Sequence, residues 1–142
     1  MTLTLPFKAA ANACSPGGHI LGVRHLDKEL IAMFHSSPAN TGFNFITQVP
    51  IPNTKPICYF PWSFRPPAFS ADGMKFAVAA NDGTVSVWYV QNKIPLMVKE
   101  PDCNVCCSLA SLKFSSGTLG RGVLAFLEVS QLCLDVYFLH VE

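Results

Sequence analysis

The sequence predicts an all-β fold built from repeated antiparallel sheets. Two glycine turns, Ser70-Ala71-Asp72-Gly73 and Asn81-Asp82-Gly83, each lead into a short apolar run between Phe69 and Val90. An Asp-Gly pair between such runs is the strongest short-range signal for a β-hairpin. Half of the 142 residues are hydrophobic and only 13% are charged, below the roughly 25% that is typical of soluble domains. Serine-led turns recur 55 and 45 residues apart, at Ser15, Ser70 and Ser115.

The residues of the two glycine turns have separate physical roles. Gly73 and Gly83 can adopt a positive φ at little steric cost. The short carboxylates of Asp72 and Asp82 can accept hydrogen bonds from backbone amides inside their own turns. Trp88 ends the second run with a large apolar body and a single N–H donor, so we expect it to be buried next to an acceptor.

The stretch resembles one blade of a WD-repeat β-propeller. Phe69-Ser70-Ala71-Asp72-Gly73 and Asp82-Gly83-Thr84-Val85-Ser86-Val87-Trp88 match the family pattern residue by residue. Tyr89 stands where the family usually has a final Asp, and no Gly-His pair precedes the blade. The resemblance implies a hydrogen-bonded tetrad of Asp, His, Ser or Thr, and Trp. Asp82 and Trp88 are present here and the His is not, so the tetrad is incomplete. The resemblance also implies a structural turn and blade motif, made of Ser70, Asp72, Gly73, Asp82, Gly83 and Trp88.

Residues 1–52 are predicted to form a divergent first blade. The turn Ser15-Pro16-Gly17-Gly18 takes the place of the Ser-x-Asp-Gly turn, and neither a Trp nor an Asp-Gly pair follows it. Phe43 to Val49 alternates apolar and polar residues, as a half-buried strand does. Four strands are expected, at Phe7–Cys14, His19–Val23, Glu29–Phe34 and Phe43–Val49.

Residues 53–67 are predicted to connect the first blade to the second. This stretch is dense in proline, and proline removes ladder donors and breaks regular elements. Two interpretations stay open. The connection is either a plain loop or an aromatic–proline interaction surface that includes Tyr59, Phe60 and Trp62.

Residues 68–102 are predicted to form the WD-like blade. Its first strand is expected to begin before the turn, within Phe64 to Ser70. The remaining strands follow the two glycine turns and a short proline-led segment. They are expected at Lys75–Ala80, Thr84–Val90 and Pro95–Lys99.

Residues 103–142 are predicted to form a partial blade. Ser111-Leu112-Lys113-Phe114-Ser115 and Gly122-Val123-Leu124-Ala125-Phe126-Leu127-Glu128 resemble the uncharacterised domain of fungal WD-repeat proteins. Val129 replaces a His of that pattern, and the match ends at Asp135. Strands are expected at Ser108–Phe114, Val123–Val129 and Leu132–Val141.

The length limits the number of blades. A WD blade takes roughly 40–45 residues and a closed ring needs typically 4–8 blades, so 142 residues have room for two to three. We therefore expect an open arc that belongs to a longer protein, borrows blades from another chain, or is a truncated product. Terminal repeats without polar caps expose apolar surface, so we expect the isolated chain to self-associate.

Charge and hydropathy argue against several classes of partner. The net charge is +1, and Lys and Arg are scattered, so no nucleic-acid footprint is visible. No run reaches about 18 apolar residues, so we expect no membrane span. The first residues do not have the pattern of a secretory signal, so we expect a cytoplasmic or nuclear protein with reduced cysteines.

Motifs that would carry catalysis or bind a metal are missing from the sequence. Cys103-Asn104-Val105-Cys106-Cys107 contains one C-x-x-C, but structural zinc typically needs two such pairs. The four histidines lie beside neither a G-x-S-x-G elbow nor an H-E-x-x-H motif. We therefore predict no catalytic residue, no cofactor and no metal, and a non-catalytic scaffold that binds other proteins. The alternatives are a hydrolase-type propeller with an active site in its channel, or a non-functional truncated gene product.

Overall fold

A computed structural model of the chain describes residues 3–37, 42–52, 65–100, 108–115, 122–129 and 134–141. These residues form eleven strands and no helix. The strands make three antiparallel sheets, each joined in sequence order. The all-β prediction is confirmed.

The first sheet, called blade 1, has four strands in the order β1-β2-β3-β4. All four lie within two residues of the predicted bounds. They are β1 (Ala9–Cys14), β2 (Ile20–His25), β3 (Leu30–Ser36) and β4 (Phe43–Pro50).

The second sheet, called blade 2, also has four strands. They are β5 (Ala68–Phe69), β6 (Lys75–Ala79), β7 (Val85–Tyr89) and β8 (Met97–Lys99). The first and last are shorter than predicted. Pro66, Pro67 and Pro95 have no backbone N–H, so they cannot extend the ladder at these ends.

The third sheet, called blade 3, has three strands with the order β11-β10-β9. They are β9 (Ser108–Phe114), β10 (Gly122–Val129) and β11 (Leu134–Val141). The aromatic–proline stretch and the C-x-x-C lie outside the described residues. The division of the chain into units ending at residues 52, 67 and 102 stays a prediction.

Blade 2 is packed on both faces, because side chains alternate across a strand. Phe76 and Val78 of β6 pack with Ile31 and Met33 of blade 1. The intervening Ala77 and Ala79 pack on the opposite side with other apolar residues. These are Val85, Val87, Leu124 and Val141. The even-numbered and the odd-numbered side chains of β6 thus belong to two separate hydrophobic cores.

Blade 2 thus lies between blades 1 and 3, and the side chains of these two outer blades differ in how far they are covered. The outer face of blade 1, with Val23 and Phe34, packs against the chain's own Leu3, Leu5 and Phe7. The chain's own residues therefore cover this face. Our expectation of an uncapped apolar face concerns the C-terminal strands, at Val123–Val129 and Leu132–Val141, and stays a prediction. At the other end, Leu139 packs against blade 2, whereas its neighbour Phe138 is 67% exposed.

Candidate functional site

A hydroxyl-clamped turn connects β5 to β6. Ser70 Oγ accepts a hydrogen bond from Lys75 N at 3.0 Å and donates to Asp72 Oδ1 at 2.6 Å. Asp72 Oδ1 also accepts from Met74 N at 2.9 Å. Gly73 has a φ of 71°, a conformation that side chains disfavour. Three of the motif residues, Ser70, Asp72 and Gly73, therefore act together to fix one turn.

The same serine clamp recurs in the other two blades. Ile20 N donates to Ser15 Oγ at 3.0 Å, and Val123 N donates to Ser115 Oγ at 3.1 Å. In each blade the backbone N–H of the serine also donates to the carbonyl oxygen of the same partner residue, which is Ile20, Lys75 or Val123. This bond pair at Ser15, Ser70 and Ser115 marks the internal repeat that the spacing predicted.

A cleft lies between the clamped turns of blades 1 and 2. A Cβ added at Gly73 would lie only 3.4 Å from Ser15 Cβ, so the two turns approach closely. The cleft has a volume of about 440 Å³, within the range of about 300–1,000 Å³ typical of ligand pockets. Its lining comes from both blades, with Ser15, Pro16, His19 and Ile20 from blade 1, and Asp72, Gly73, Met74, Tyr89, Val90, Gln91 and Asn92 from blade 2.

The lining combines exposed apolar groups with one ionised carboxylate. Met74 is 59% exposed and Tyr89 is 36% exposed. Lys75 Nζ lies 5.5 Å from the centroid of the Tyr89 ring, a cation–π distance. The hydrogen bond from Ser70, helped by that from the Met74 amide, lowers the pKa of Asp72. The carboxylate is therefore charged at neutral pH.

The other two turn residues of the motif lie at the opposite edge of blade 2. Asp82 Oδ1 accepts a hydrogen bond from Thr84 N at 2.9 Å, and Gly83 has a φ of 93°. Asp82 is fully buried. The backbone hydrogen bond that the turn chemistry predicted for Asp82 is therefore present, and no cleft residue belongs to this edge.

Trp88, the sixth motif residue, lies inside the junction between blades 1 and 2. It is only 2% exposed, and its ring stacks on Phe76 with centroids 6.1 Å apart and an interplanar angle of 4°. Its Nε1 donates to Ser86 Oγ at 3.0 Å. The indole thus finds its acceptor two residues away on its own strand, which gives the tryptophan a partner without the missing histidine.

A polar network closes the Asp82 edge of the same junction. The buried Arg24 of β2 donates from Nη1 to the Ala79 carbonyl and from Nη2 to Glu29 Oε2 at 3.3 Å. Asn81 Nδ2 donates to Glu29 Oε1 at 2.7 Å. Burial lowers the pKa of Arg24, and the charge and hydrogen bond of Glu29 oppose this shift. The network ties the turns of two blades together.

The histidines and acidic residues do not assemble a reactive site within the described parts of the chain. His25 is buried, stacks on Phe7 with centroids 3.6 Å apart, and donates from Nε2 to Gln48 Oε1 at 3.1 Å. His19 lies at the rim of the cleft. Among the described residues no three His, Cys, Asp or Glu side chains are grouped as a metal would need. The described part also contains no helix long and apolar enough to span a membrane.

Sequence reasoning missed the cleft and the arginine network. One signal for the network was present, since Arg24 is the single charge in the otherwise apolar run of β2. A charge in such a run usually needs a buried partner. No comparable signal marked Met74 or Tyr89, because the cleft arises only when two blades come together.

Solved structures similar to this chain are β-propellers. The β-propeller domain of Cps50 (Swd1) from Myceliophteria thermophila aligns with a TM-score of 0.62 at 13% identity, covering 90% of this chain and 37% of that one. A complex of the fission yeast SREBP–SCAP binding domains aligns with a TM-score of 0.63 at 11% identity, covering 100% and 36%. The periplasmic gluconolactonase PpgL of Pseudomonas aeruginosa aligns with a TM-score of 0.59 at 20% identity, covering 94% and 40%.

These likenesses show the fold. The chain has the architecture of several consecutive blades of a β-propeller, and it spans well under half the length of each of the three similar chains. Comparisons of the sequence with protein-family models and with curated proteins give no match.

Proposed function

We propose that the chain is a non-catalytic scaffold of the WD-repeat type that binds other proteins through the cleft between blades 1 and 2. The observation that carries the proposal is the cleft itself, where exposed Met74 and Tyr89 adjoin a charged Asp72. Apolar and aromatic groups next to polar ones are typical of protein interfaces. Two of the similar structures are WD-type propellers, one of them in a complex of binding domains, which supports the same class.

The six motif residues act structurally in this proposal. Ser70, Asp72 and Gly73 fix one wall of the cleft, while Asp82, Gly83 and Trp88 hold the blade itself. No nucleic acid, membrane, cofactor or metal is needed, and further blades of a longer chain are the expected neighbours. A cytoplasmic or nuclear location and the kinship of blade 3 with the uncharacterised fungal domain are parts of the proposal that rest on the sequence.

Site-specific photocrosslinking in cells tests the proposal. A photoreactive residue at Met74 should form covalent adducts with one or a few proteins. The matched control is Phe45 on β4, because both side chains are 59% exposed and Phe45 lies outside the cleft. Equal adduct patterns from the two positions would contradict an interaction site in the cleft.

The hydrolase alternative is kept because one similar structure is a gluconolactonase. Its likeness at 20% identity concerns the fold, and fold does not determine chemistry. A panel of lactones and esters incubated with the purified chain decides between the two functions. Turnover that survives rigorous purification would replace the scaffold proposal.

The truncated-product alternative makes a different prediction. A non-functional fragment is expected to lack cooperative unfolding, whereas a folded arc with two packed junctions should melt in a single transition. Thermal unfolding followed by near-ultraviolet circular dichroism reports on the packing of Trp88. A featureless spectrum at low temperature would support the alternative.

A further inference from the structure

We infer that the cleft between blades 1 and 2 recognises a basic side chain, Lys or Arg, next to an apolar residue in an extended segment of a partner protein. This inference rests on the proposed function and names the chemistry of the partner. The charge and the shape of the cleft wall carry it.

Asp72 supplies the anion that would meet the basic group. Both hydrogen bonds that hold its carboxylate, from the Ser70 hydroxyl and the Met74 amide, go to Oδ1. Within the described parts of the chain, no other residue donates to Oδ2. A fixed carboxylate with one oxygen still available is a suitable acceptor for a charge-assisted hydrogen bond.

The neighbouring lysine leaves this acceptor open. Lys75 Nζ lies over the Tyr89 ring, and the one salt bridge found among the described residues joins Arg24 to Glu29. Lys75 therefore attracts the Asp72 carboxylate electrostatically but forms no salt bridge with it. His19 and Tyr89 are the other titratable groups that line the cleft.

Met74 and Tyr89 supply the apolar part of the site. Their exposed side chains stand beside the carboxylate, and a methionine adapts to partners of different shape. The aliphatic stem of Lys or Arg packs on apolar surface while its charged end reaches a polar group. A basic residue and an apolar neighbour thus match the two halves of the wall, whereas phosphate groups and acidic segments would be repelled by Asp72.

Fluorescence anisotropy with defined peptides tests the inference on the full chain. The probe is a fluorescein-labelled octapeptide with a central Leu-Arg-Leu, and its matched control carries Leu-Gln-Leu. We expect the Arg peptide to bind about threefold more tightly, because an ion pair with an exposed carboxylate contributes less than a buried one. Added salt should reduce the difference.

Two isosteric variants separate the site from general electrostatics. Asp72→Asn keeps an Oδ1 acceptor for Ser70 and Met74, so the turn should fold, and it should remove the preference for Arg. Asp27→Asn changes the net charge equally at an exposed position in the β2–β3 turn, and it should retain the preference. Met74→Ser should weaken both peptides together.

Three outcomes would overturn the inference: equal binding of the two peptides, equal effects of Asp72→Asn and Asp27→Asn, or a preference for a Leu-Glu-Leu peptide. Its failure can be told apart from that of the proposed function. Protein adducts at Met74 without a preference for Arg would leave the scaffold standing and remove the basic partner. A preference for Arg without adducts at Met74 would retain the recognition chemistry and remove the scaffold.

Discussion

The two edges of the junction between blades 1 and 2 are built differently, although the strands between them are only about five residues, or roughly 17 Å, long. At one edge Arg24, Glu29 and Asn81 bind the turns to each other through hydrogen bonds. At the other edge the turns approach closely at Gly73 and Ser15 and leave a cleft beside that approach. The difference suggests that the closed edge holds the blades in place, so that the open edge can expose Met74 and Tyr89 to a partner.

Trp88 lies in the core between the two edges, so removing its side chain should disturb both of them. Trp88→Ala is expected to lower the free energy of unfolding by about 3–5 kcal/mol, as large aromatic truncations in cores do. The matched control is Tyr89→Ala on the next, partly exposed position, which should cost much less. Urea denaturation of the two variants measures both, and a loss below about 1 kcal/mol for Trp88→Ala would contradict the burial argument.

Breaking the closed edge should be almost as costly. Arg24→Ala removes the donor that bonds both Glu29 and the Ala79 carbonyl, and breaking a buried ion pair typically costs 3–5 kcal/mol. We expect about 3 kcal/mol, the lower end of that range, because Glu29 keeps Asn81 as a partner. Glu29→Gln keeps an acceptor but leaves the buried Arg24 guanidinium without its counterion, so it should cost a similar amount in the same denaturation experiment. A loss below about 1 kcal/mol for Glu29→Gln would show that the hydrogen-bond contacts, rather than the charge of Glu29, are decisive.

Loosening the open edge should have a smaller effect. Ser70→Ala deletes the hydroxyl that fixes the β5–β6 turn, and the expected cost is about 1–2 kcal/mol, since the Lys75 amide loses an acceptor. Ser15→Ala should behave similarly in blade 1, because its hydroxyl makes the corresponding bond to Ile20 N. Thermal melts of both variants give the comparison. A loss as large as that of Arg24→Ala would mean that the two edges are equally important for stability.

Acid should weaken the open edge before it affects the apolar core. The pKa of Asp72 is lower in the folded chain than its ordinary value of 3.8, so its contribution to stability is fully present above that value. The contribution is lost as the pH falls below 3.8 and through the folded pKa. Asp72 is largely exposed, so the effect is small. Denaturation of the native chain and of Asp72→Asn at pH 6 and at pH 3 measures it, and the difference between the two proteins should shrink at pH 3.

The strands could be predicted from the sequence because the residues that begin and end each strand lie next to it in the chain. The Asp-Gly turns around Asp72 and Asp82 and the alternation along β6 are all contained within a few residues, so most strand bounds fell within two positions. The prolines at 66, 67 and 95 explain why β5 and β8 are shorter than predicted. The candidate site could not be predicted in this way, since Arg24 and Asn81 are 57 residues apart and the cleft forms only between two blades.

The short segment of Leu3, Leu5 and Phe7 that covers the outer face of blade 1 would compete with any partner for that face. A blade supplied by a second molecule would have to displace a tethered segment, whose effective concentration is on the order of millimolar. The apparent affinity of that blade would be its intrinsic affinity multiplied by the fraction of molecules in which the segment is already detached. Within the described residues no such segment covers Phe138 of blade 3, so a partner of that face would meet no competitor of this kind.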